Sequence, residues 1–440
     1  MKITFIKPRI GILCNGESYD RVRMEPLTLS VLAGMTPPEI DIDFFDDRCE
    51  EIPYDSPTDL VAITVESFTA RRAYDIAAEY RSRGVRVIMG GVHPTLVPDE
   101  VGRHADSVYV GDAERQWHDV LRDTQEGRLR PLYAGGAARQ VQPYLARPGI
   151  FKGKKYLPFS LMQFSRGCPH HCTFCAVSTY FNGRHLCRNS EDVAAELQAR
   201  PGQVAFFVDD NFSANPEKAK AFLRSIVPLK MKWMCQLSID VAQNDGLLGL
   251  MKESGCLGFV VGFESIDKEN LVAMNKLTNI KDFKRYGPQV KKLRGHGFHI
   301  WAAFTVGHDN DTVASLEDML DFAIDNRFAF AAFNTLTPYP GTQLYRRLSE
   351  EGRLLYDGTW WLHPEYRYNY ASFKPRHMTA DQLTGMAFSM RKRFNAVGSI
   401  AHRILEAGTS ANAGAALGLI ARYGLFFRSE IRRKQGMRFG

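Results

Sequence analysis

The sequence has no uninterrupted apolar stretch long enough to cross a membrane. The longest candidate, residues 413–427, is interrupted by Arg422, whereas a spanning helix needs about 18 or more apolar residues. The start of the chain has no basic segment followed by an apolar run, which is the pattern of a secretory signal. We therefore expect a cytoplasmic protein.

Internal repeats and low-complexity tracts are also missing, and cysteines are few. The absence of a secretory signal argues against a disulfide framework, so we expect reduced thiols. Five of the eight cysteines are scattered and are interpreted as small buried hydrophobes: Cys14, Cys49, Cys187, Cys235 and Cys256. The net charge of +7 is concentrated near the C-terminus, so it does not indicate nucleic acid as a substrate.

The chain of 440 residues is long enough for two or three domains. Short β-branched runs alternate with helical patterns over residues 1–130, which predicts a parallel, doubly wound α/β sheet. The predicted strands are 2–6, 40–45, 60–64, 85–89 and 107–110, and the predicted helices are 27–33 and 70–83. Residues 131–157 are rich in Gly, Pro, Arg and Gln and are interpreted as a linker.

A second α/β series follows and predicts a partial TIM-type barrel of six strand–helix units over residues 158–345, open on one side. Its predicted strands are 160–164, 204–208, 233–237, 258–261, 299–305 and 331–336. Its predicted helices are 190–198, 216–226, 245–253, 280–295 and 312–326. Active sites of such barrels lie at the C-terminal ends of the strands. Residues 346–440 are expected to be mainly helical, with helices at 380–394, 397–406 and 414–434.

Three cysteines lie within eight residues, directly after the first predicted barrel strand. Cys168, Cys172 and Cys175 are spaced as C-x3-C-x2-C. Three thiolates on a short loop can bind three irons of a 4Fe–4S cluster and leave the fourth iron without a protein ligand. Zinc is the main alternative, but it usually requires four ligands. His170 and His171 lie inside the loop, where their geometry for zinc is awkward, and are interpreted as solvated.

This loop resembles that of the radical S-adenosylmethionine (SAM) superfamily, including the aromatic residue Phe174 before the third cysteine. Segments 207–212, 261–265 and 304–311 resemble the SAM-contacting strand ends of its barrel, in the same order. Segment 337–342 resembles a sixth-strand motif that is common in the cobalamin-linked branch. The resemblance implies that a 4Fe–4S cluster binds SAM and cleaves it reductively to a 5′-deoxyadenosyl radical, with electrons from a flavodoxin or ferredoxin. It makes Asp209, Asp210, Glu264 and Gly307 candidate SAM-binding residues. The alternative is that Asp209, Asp210 and Glu264 are ordinary polar residues at strand ends with no ligand.

The N-terminal segment resembles the cobalamin-binding domain that precedes the barrel in one branch of this superfamily. The matching pieces are 25–30, 63–68, 90–95 and 111–114. In such a domain, Thr64, Ser67 and Thr69 are expected to hydrogen-bond the nucleotide tail, and Gly90 and Gly91 let the backbone approach a large ligand. His93 is a further candidate, with a turn histidine bonded to backbone as its alternative.

One motif of many cobalamin proteins is missing from this domain. The D-x-H-x-x-G pattern, whose histidine binds cobalt, is replaced by residues 46–51. Several radical SAM methylases also lack it and leave the lower face of cobalt without a protein histidine. The absence therefore leaves three interpretations of the domain open: a cobalamin site, a site for another cofactor, or a scaffold without cofactor.

The resemblance predicts a cobalamin-dependent methyltransferase that acts on an unactivated carbon or phosphorus of a small molecule or natural product. A first alternative keeps the radical chemistry without cobalamin and ends in cyclisation, rearrangement or transfer of a 3-amino-3-carboxypropyl group. A second is a tRNA methylthiotransferase, which is disfavoured because no second cysteine set or RNA-binding module is visible. No nucleic acid partner is therefore expected.

Two features of the C-terminal region remain open to more than one interpretation. The aromatic residues between 360 and 373 can either close the barrel over a substrate or pack as a cap. Residues 413–434 join an apolar half to a basic end, which fits a helix on a membrane surface or a core-facing helix with a solvated basic end.

Overall fold

The computed structural model describes residues 1–13, 15–17, 24–135, 146–200, 202–407 and 413–440. Cys14 and residues 136–145 of the predicted linker lie outside the described residues.

The N-terminal third forms a six-stranded sheet in which every neighbouring pair is parallel, with the order β3-β1-β4-β5-β6-β7. Its strands, and the small β2, are β1 (Lys2–Lys7), β2 (Gly11–Ile12), β3 (Asp41–Asp46), β4 (Leu60–Thr64), β5 (Arg86–Gly90), β6 (Ser107–Val110) and β7 (Leu132–Ala134). Its helices are α1 (Leu27–Met35), α2 (Ala70–Ser82), α3 (Val92–Leu96), α4 (Pro98–Val101) and α5 (Trp117–Gln125).

The doubly wound fold expected from the sequence is confirmed in this sheet. Strands β1 and β4 are buried along nearly their whole length, as expected for a parallel sheet covered on both faces. The strand order reverses between β1 and β4, and such switch points leave a crevice at the carboxyl ends of the strands. Strand β7 was not predicted from the sequence. Beyond it, Phe151 packs in the core of this domain, and Tyr156 donates a hydrogen bond of 2.7 Å to Asp46.

The second domain is an open six-stranded parallel barrel with the order β15-β14-β13-β12-β11-β8, so β8 and β15 are its edges. Its strands, with the β9–β10 hairpin, are β8 (Phe159–Met162), β9 (Ser165–Gly167), β10 (His185–Cys187), β11 (Val204–Phe207), β12 (Trp233–Leu237), β13 (Cys256–Glu264), β14 (His299–Val306) and β15 (Phe330–Thr335). Its helices are α6 (Ala176–Phe181), α7 (Ser190–Gln198), α8 (Pro216–Ile226), α9 (Asp245–Glu253), α10 (Lys268–Ala273), α11 (Leu277–Asp282), α12 (Tyr286–Gly295), α13 (Val313–Asp325) and α14 (Gln343–Glu350).

The six predicted barrel strands are confirmed, but the predicted helix 280–295 is wrong. The structure divides this region into α11, a 3-10 turn over Phe283–Arg285, and α12. Pro288 explains the break because it has no backbone N–H to donate to residue 284.

The first barrel strand leads into a small substructure that the sequence did not predict. Strands β9 and β10 pair antiparallel and enclose the cysteine loop and α6. Gly167 ends β9 with a φ of +80°, and a Cβ there would lie 2.1 Å from the carbonyl oxygen of Arg184. A glycine is therefore required directly before Cys168.

The C-terminal region contains α15 (Ala380–Phe394), α16 (Val397–Ala407), α17 (Ala413–Lys434) and β16 (Arg438–Phe439). It returns to the N-terminal domain, where β16 pairs antiparallel with β2. Trp360 and Phe439 contact Phe68 at ring-centroid distances of 5.1 and 5.7 Å. The aromatic stretch therefore packs between the two domains.

Helix α17 packs against the edge of the barrel with part of its length. Phe427 contacts Phe330 and Trp301 at ring-centroid distances of 5.6 and 5.5 Å, and Leu425 is exposed. Among the described residues, no helix is both long and apolar enough to cross a membrane. Contact of 413–434 with a membrane surface stays a prediction.

Candidate functional site

A cavity of about 650 Å³ lies between the two domains. One wall is formed by α1 and by the loops at the carboxyl ends of β4, β5 and β6, and the other by the cysteine loop and α6. We call it the interdomain cavity. Cys175 lines it, so the cavity joins the crevice of the doubly wound sheet to the cysteine loop.

Apolar side chains form much of the cavity lining within the N-terminal domain. They include Leu29, Leu32, Ala62, Ile88 and Trp117. These side chains come from α1, β4, β5 and α5, on one face of the sheet. Such a lining can receive an uncharged ring system of a large ligand.

Four of the predicted cobalamin-binding residues line this cavity, namely Thr64, Ser67, Gly90 and Gly91. Gly91 has a φ of +116°, and a Cβ there would lie 2.8 Å from the carbonyl oxygen of Val65. The close approach of these two loops therefore requires glycine.

His93 is placed differently from the other four. It is fully buried and is not among the described residues that line the cavity. Its Nδ1 lies 3.1 Å from Ser67 Oγ, and its Nε2 lies 3.2 Å from the Tyr74 hydroxyl and 3.1 Å from Glu100. Burial raises the pKa of Glu100, but hydrogen bonds from His93, Tyr74 and Trp361 outweigh it and hold that pKa below its usual value. His93 thus anchors the loop that carries Ser67.

An ion pair at the cavity wall was not anticipated from the sequence. Lys7, at the end of β1, donates a hydrogen bond of 2.6 Å to Glu66. Glu66 lines the cavity, and the Lys7 ammonium holds its pKa below the usual range. The signal was a charged residue at the carboxyl end of a buried strand, where ligands of such sheets bind.

The cysteine loop is braced by the segment between α10 and α11. The backbone N–H of Thr173 donates to the Met274 carbonyl oxygen at 3.0 Å. Asn275 donates its side-chain amide to the His171 carbonyl oxygen, also at 3.0 Å. The loop therefore has a fixed conformation around Cys172, which is nearly buried.

Burial and a nearby lysine act in opposite directions on the pKa of these thiols. Burial raises the pKa of Cys172 to about 11 and raises that of Cys168. In both cases the nearby Lys276 ammonium opposes the increase. Metal binding must therefore displace protons from these thiols, and it makes the affinity depend on pH.

A cluster and a single metal ion require different spacings of their donors. Among the described residues, no three His, Cys, Asp or Glu side chains are close enough to share one metal ion. Zinc needs all its thiolates at about 2.3 Å, whereas a cubane cluster binds each thiolate at a different iron and spaces them further apart.

Asp209 and Asp210 are adjacent but face different surroundings. Asp209 is fully buried, and its carboxylate accepts hydrogen bonds from the backbone N–H groups of Phe164 and Ser165 and from the Ser165 hydroxyl. Burial raises the pKa of Asp209 to about 7. Asp210 accepts a hydrogen bond of 2.7 Å from the Gly167 N–H and lines the cavity. Asp209 thus supports the turn before the cysteine loop, and only Asp210 reaches the cavity.

Glu264 lies on the braced side of the cysteine loop. It ends β13 with a φ of +62° and accepts a hydrogen bond of 3.2 Å from Lys276 Nζ. Both side chains lie within electrostatic range of Cys172. Lys276 was not identified from the sequence, since an isolated lysine in a helix-rich segment gives no signal.

Phe174 and Gly307 are the two remaining predicted residues. Phe174 lines the cavity, with its ring 6.5 Å from the ring of His308. Gly307 directly precedes His308 and has a φ of +106°. A Cβ at Gly307 would lie 2.5 Å from a methyl group of Leu383 in α15. Burial lowers the pKa of His308 to about 4, so this imidazole is neutral.

Arg166 connects the cysteine loop to the N-terminal domain. Its guanidinium forms an ion pair with Glu114, lies 3.7 Å from Asp112, and donates a hydrogen bond of 2.6 Å to Gln163. The Tyr180 hydroxyl donates a hydrogen bond of 3.1 Å to the same Asp112 carboxylate oxygen that faces Arg166. The sequence reasoning missed this role, and its signal was an arginine two residues before the first cysteine.

Comparisons with known proteins agree with this geometry. Residues 162–323 match the family described as Radical SAM superfamily. The chain is 29% identical over 371 residues to the bacteriochlorophyllide d C-12(1)-methyltransferase of Chlorobaculum tepidum, covering 81% of this chain and 80% of that protein.

Two solved structures share the fold of both domains. TsrM from Kitasatospora setae, a radical SAM methyltransferase solved with cobalamin and a [4Fe-4S] cluster, matches with a TM-score of 0.63 at 15% identity, over 80% of this chain and 75% of that chain. The cobalamin-dependent radical enzyme OxsB, solved with aqua-cobalamin and SAM, matches with a TM-score of 0.64 at 13% identity, over 98% and 71%. The chain therefore has a radical SAM domain at residues 162–323, is similar in sequence to a methyltransferase, and shares the two-domain fold of structures solved with cobalamin.

Proposed function

We propose that the protein is a cobalamin-dependent radical SAM methyltransferase that methylates an unactivated carbon of an apolar small molecule. The observation that carries this proposal is the interdomain cavity, which joins the strand ends of the N-terminal sheet to Cys175. A methyl carrier bound on the sheet and a radical source bound at the cysteine loop would share that space. Their reactive groups would then face one substrate.

We assign the cluster to Cys168, Cys172 and Cys175, and SAM to the adjoining end of the barrel. Phe174 and Asp210 line the cavity there. We assign Asp209 a supporting role instead, because its carboxylate is occupied by the turn that leads into the loop.

On the opposite side of Cys172, the pair formed by Glu264 and Lys276 offers one buried carboxylate and one buried ammonium. This pair is complementary to the zwitterionic amino acid end of SAM. Gly307 remains a proposed contact of the adenine end. Its packing against Leu383 fixes the loop that follows β14.

We assign cobalamin to the N-terminal wall of the cavity. The apolar lining around Leu29, Ala62 and Trp117 would receive the base of the nucleotide tail. Thr64 and Ser67 would bond its polar groups, and Gly90 leaves room because a Cβ there meets only Tyr109, at 3.4 Å. When bound, the cluster with SAM supplies a carbon-centred radical and cobalamin carries the methyl group to be transferred.

Carbon is favoured over phosphorus as the methyl acceptor. The curated relative with 29% identity is named for methylation at a carbon of a chlorophyll pigment, and the exposed lining of the interdomain cavity is mostly apolar. A charged phosphorus substrate would need basic side chains. The described lining contains one arginine, Arg166, which is already paired with carboxylates.

The proposal is tested with anaerobically reconstituted protein, a strong reductant and SAM that carries a trideuterated methyl group. Reactions with and without hydroxocobalamin receive a panel of apolar ring-containing metabolites that includes a bacteriochlorophyllide. We expect 5′-deoxyadenosine, S-adenosylhomocysteine and a product heavier by one labelled methyl group. S-adenosylhomocysteine and the product should require cobalamin, and Cys172→Ala should abolish 5′-deoxyadenosine.

A radical enzyme that does not methylate its substrate would give different products in this experiment. It would give 5′-deoxyadenosine with no S-adenosylhomocysteine, regardless of whether cobalamin is added. Formation of an unlabelled rearranged or cyclised product under those conditions would replace the methyltransferase proposal.

A further inference from the structure

The two ends of the cysteine loop are both attached to the N-terminal domain. Arg166 lies two residues before Cys168, and its guanidinium forms an ion pair with Glu114. Tyr180 follows the loop in α6 and donates a hydrogen bond of 3.1 Å to an Asp112 carboxylate oxygen. Arg166 lies 3.7 Å from the same oxygen. One carboxylate of the N-terminal domain therefore contacts residues on both sides of the three cysteines.

Charges of both signs surround Asp112. Burial raises the pKa of Asp112, Arg166 opposes this increase, and the like charge of Glu114 adds to it. Arg184 and Asp210 are also within electrostatic range, with opposite signs. The group thus contains three carboxylates and two guanidinium groups. Because there is no excess of positive charge here, the Asp112 side chain is held by its specific bonds to the two sides of the cysteine loop.

A chain of hydrogen bonds leads from Asp112 to the glycine turn after β5. The backbone N–H of Gly111, the residue before Asp112, donates a hydrogen bond of 2.9 Å to Thr95 Oγ1. The Thr95 hydroxyl in turn donates a hydrogen bond of 2.8 Å to the Gly91 carbonyl oxygen. Gly91 lines the interdomain cavity. The position of Asp112 is therefore linked to the N-terminal wall of the cavity, to which we assign cobalamin.

This connection has a thermodynamic consequence for two ligands on opposite walls. A cluster bonded to three cysteines restricts the conformations of the loop that carries them. A second ligand that needs the same ordered arrangement then binds with a smaller loss of conformational entropy, so the two bind cooperatively. Such coupling is reciprocal and typically changes an affinity by about 5- to 150-fold.

We propose that Asp112 is a positioning residue that couples the cysteine loop to the N-terminal wall, so that a chain with its cluster binds cobalamin more tightly than a chain without it. This inference rests on the proposed function, because it requires both cofactors. Asp112 acts through Gly111 and Thr95, and it does not need to touch the reacting atoms. Two ligands in one cavity can also influence each other by direct contact. The hydroxyl of Tyr180 separates these two routes, because its removal breaks the bond to Asp112 and keeps the ring in place.

The test compares Tyr180→Phe with a matched control, Tyr133→Phe. Tyr133 donates a hydrogen bond of 2.9 Å to Asp123 in the same domain, and neither of these two is among the described residues that line the cavity. The control therefore removes the same kind of bond without touching the connection. A double variant, Tyr180→Phe/Arg166→Met, removes both attachments of the cysteine loop to Asp112.

The dissociation constant of methylcobalamin is measured by equilibrium dialysis, in the dark and without oxygen. Each protein is measured without a cluster and after reconstitution with iron and sulfide, and iron analysis checks for about four irons per chain. The readout is the ratio of the two dissociation constants. A bond with a purely structural role would shift both constants by the same factor and leave the ratio unchanged. Circular dichroism verifies that each variant is folded.

We expect the wild type to bind methylcobalamin roughly tenfold more tightly with its cluster than without it, and Tyr133→Phe to show the same ratio. Tyr180→Phe should lower the ratio to about threefold or less, and the double variant should bring it close to one.

A wild-type ratio of one, a ratio that is unchanged in both Tyr180 variants, or an equal loss in the control would each overturn the coupling. In these three cases methylcobalamin still binds, so the proposed function would stand. A wild type that takes up iron but binds no methylcobalamin in either state would overturn the proposed function and the coupling together.

Discussion

The ion pairs of Arg166 lead to a quantitative prediction about the contact between the two domains. Arg166→Met removes the charge and keeps most of the length of the side chain. It leaves the carboxylates of Glu114 and Asp112 facing the interdomain cavity, with side-chain exposures of 7% and 18%. A second substitution, Glu114→Gln, removes one of the two carboxylate charges that are left without Arg166.

The size of the effect follows from the geometry. At 3.7 Å and an effective dielectric constant of about 20, one pair of unit charges attracts by about 4 kcal/mol before desolvation is counted. Removing one partner of a buried pair costs about 3–5 kcal/mol because the other charge is left uncompensated. We therefore expect Arg166→Met to lower the free energy of unfolding by about 3 kcal/mol, and Glu114→Gln to recover at least about 1.5 kcal/mol of that loss.

Urea unfolding of the four members of this cycle, followed by circular dichroism, measures the coupling. The exposed pair between Arg393 and Glu317, with exposures of 47% and 37%, supplies the matched cycle of Arg393→Met and Glu317→Gln. Its coupling should stay below about 1 kcal/mol. Additive effects of the Arg166 and Glu114 substitutions, within about 0.5 kcal/mol, would show that the two side chains are not coupled.

Three further predictions concern single residues. Burial raises the pKa of Asp209 to about 7, above its unfolded value, so its stabilising contribution is complete below about pH 4 and is lost as the pH rises to 7. We compare the free energies of unfolding of the metal-free wild type and of metal-free Asp209→Asn at each pH. The advantage of the wild type should fall between about pH 4 and 7 and stay constant above pH 7. An advantage that rises with pH would contradict the raised pKa of Asp209. Phe439→Ala should lower the free energy of unfolding by about 3 kcal/mol, because the ring is buried among interdomain aromatics, and thermal unfolding checks this. Cys172→Ala should lose iron on reconstitution while Cys49→Ala, which alters an exposed thiol, keeps about four irons per chain; equal iron contents would contradict the cluster assignment.

The main strands could be predicted because their burial is nearly continuous along the chain. Strand β4 begins and ends at the predicted residues, and β12 does as well. The short strands were missed for a physical reason. Strand β2 has two residues and pairs with β16 near the opposite end of the chain, so no local pattern encodes it.

The candidate site was predicted in part. The cysteine loop is recognisable from its spacing, and Thr64 and Gly90 reach the cavity as expected from their place at strand ends. The sequence could not predict that only Asp210 lines the cavity while Asp209 is buried at the turn. Adjacent residues of an extended chain point in opposite directions, and the strand register determines which of them faces the cavity. Arg166 and Lys7 were missed because their partners come from distant segments.

We propose that one chain binds a cluster and cobalamin on opposite walls of the interdomain cavity. The most direct test is iron and cobalt analysis after anaerobic reconstitution with iron, sulfide and hydroxocobalamin, for the wild type, Gly90→Ala and Gly90→Leu. Gly90 lines the cavity with space beside its Cα, so alanine should be tolerated and leucine should occupy the volume assigned to cobalamin. We predict about four irons per chain in all three, with one cobalt in the wild type and Gly90→Ala and none in Gly90→Leu. A wild type with iron but no cobalt, or cobalt that survives Gly90→Leu, would contradict the account.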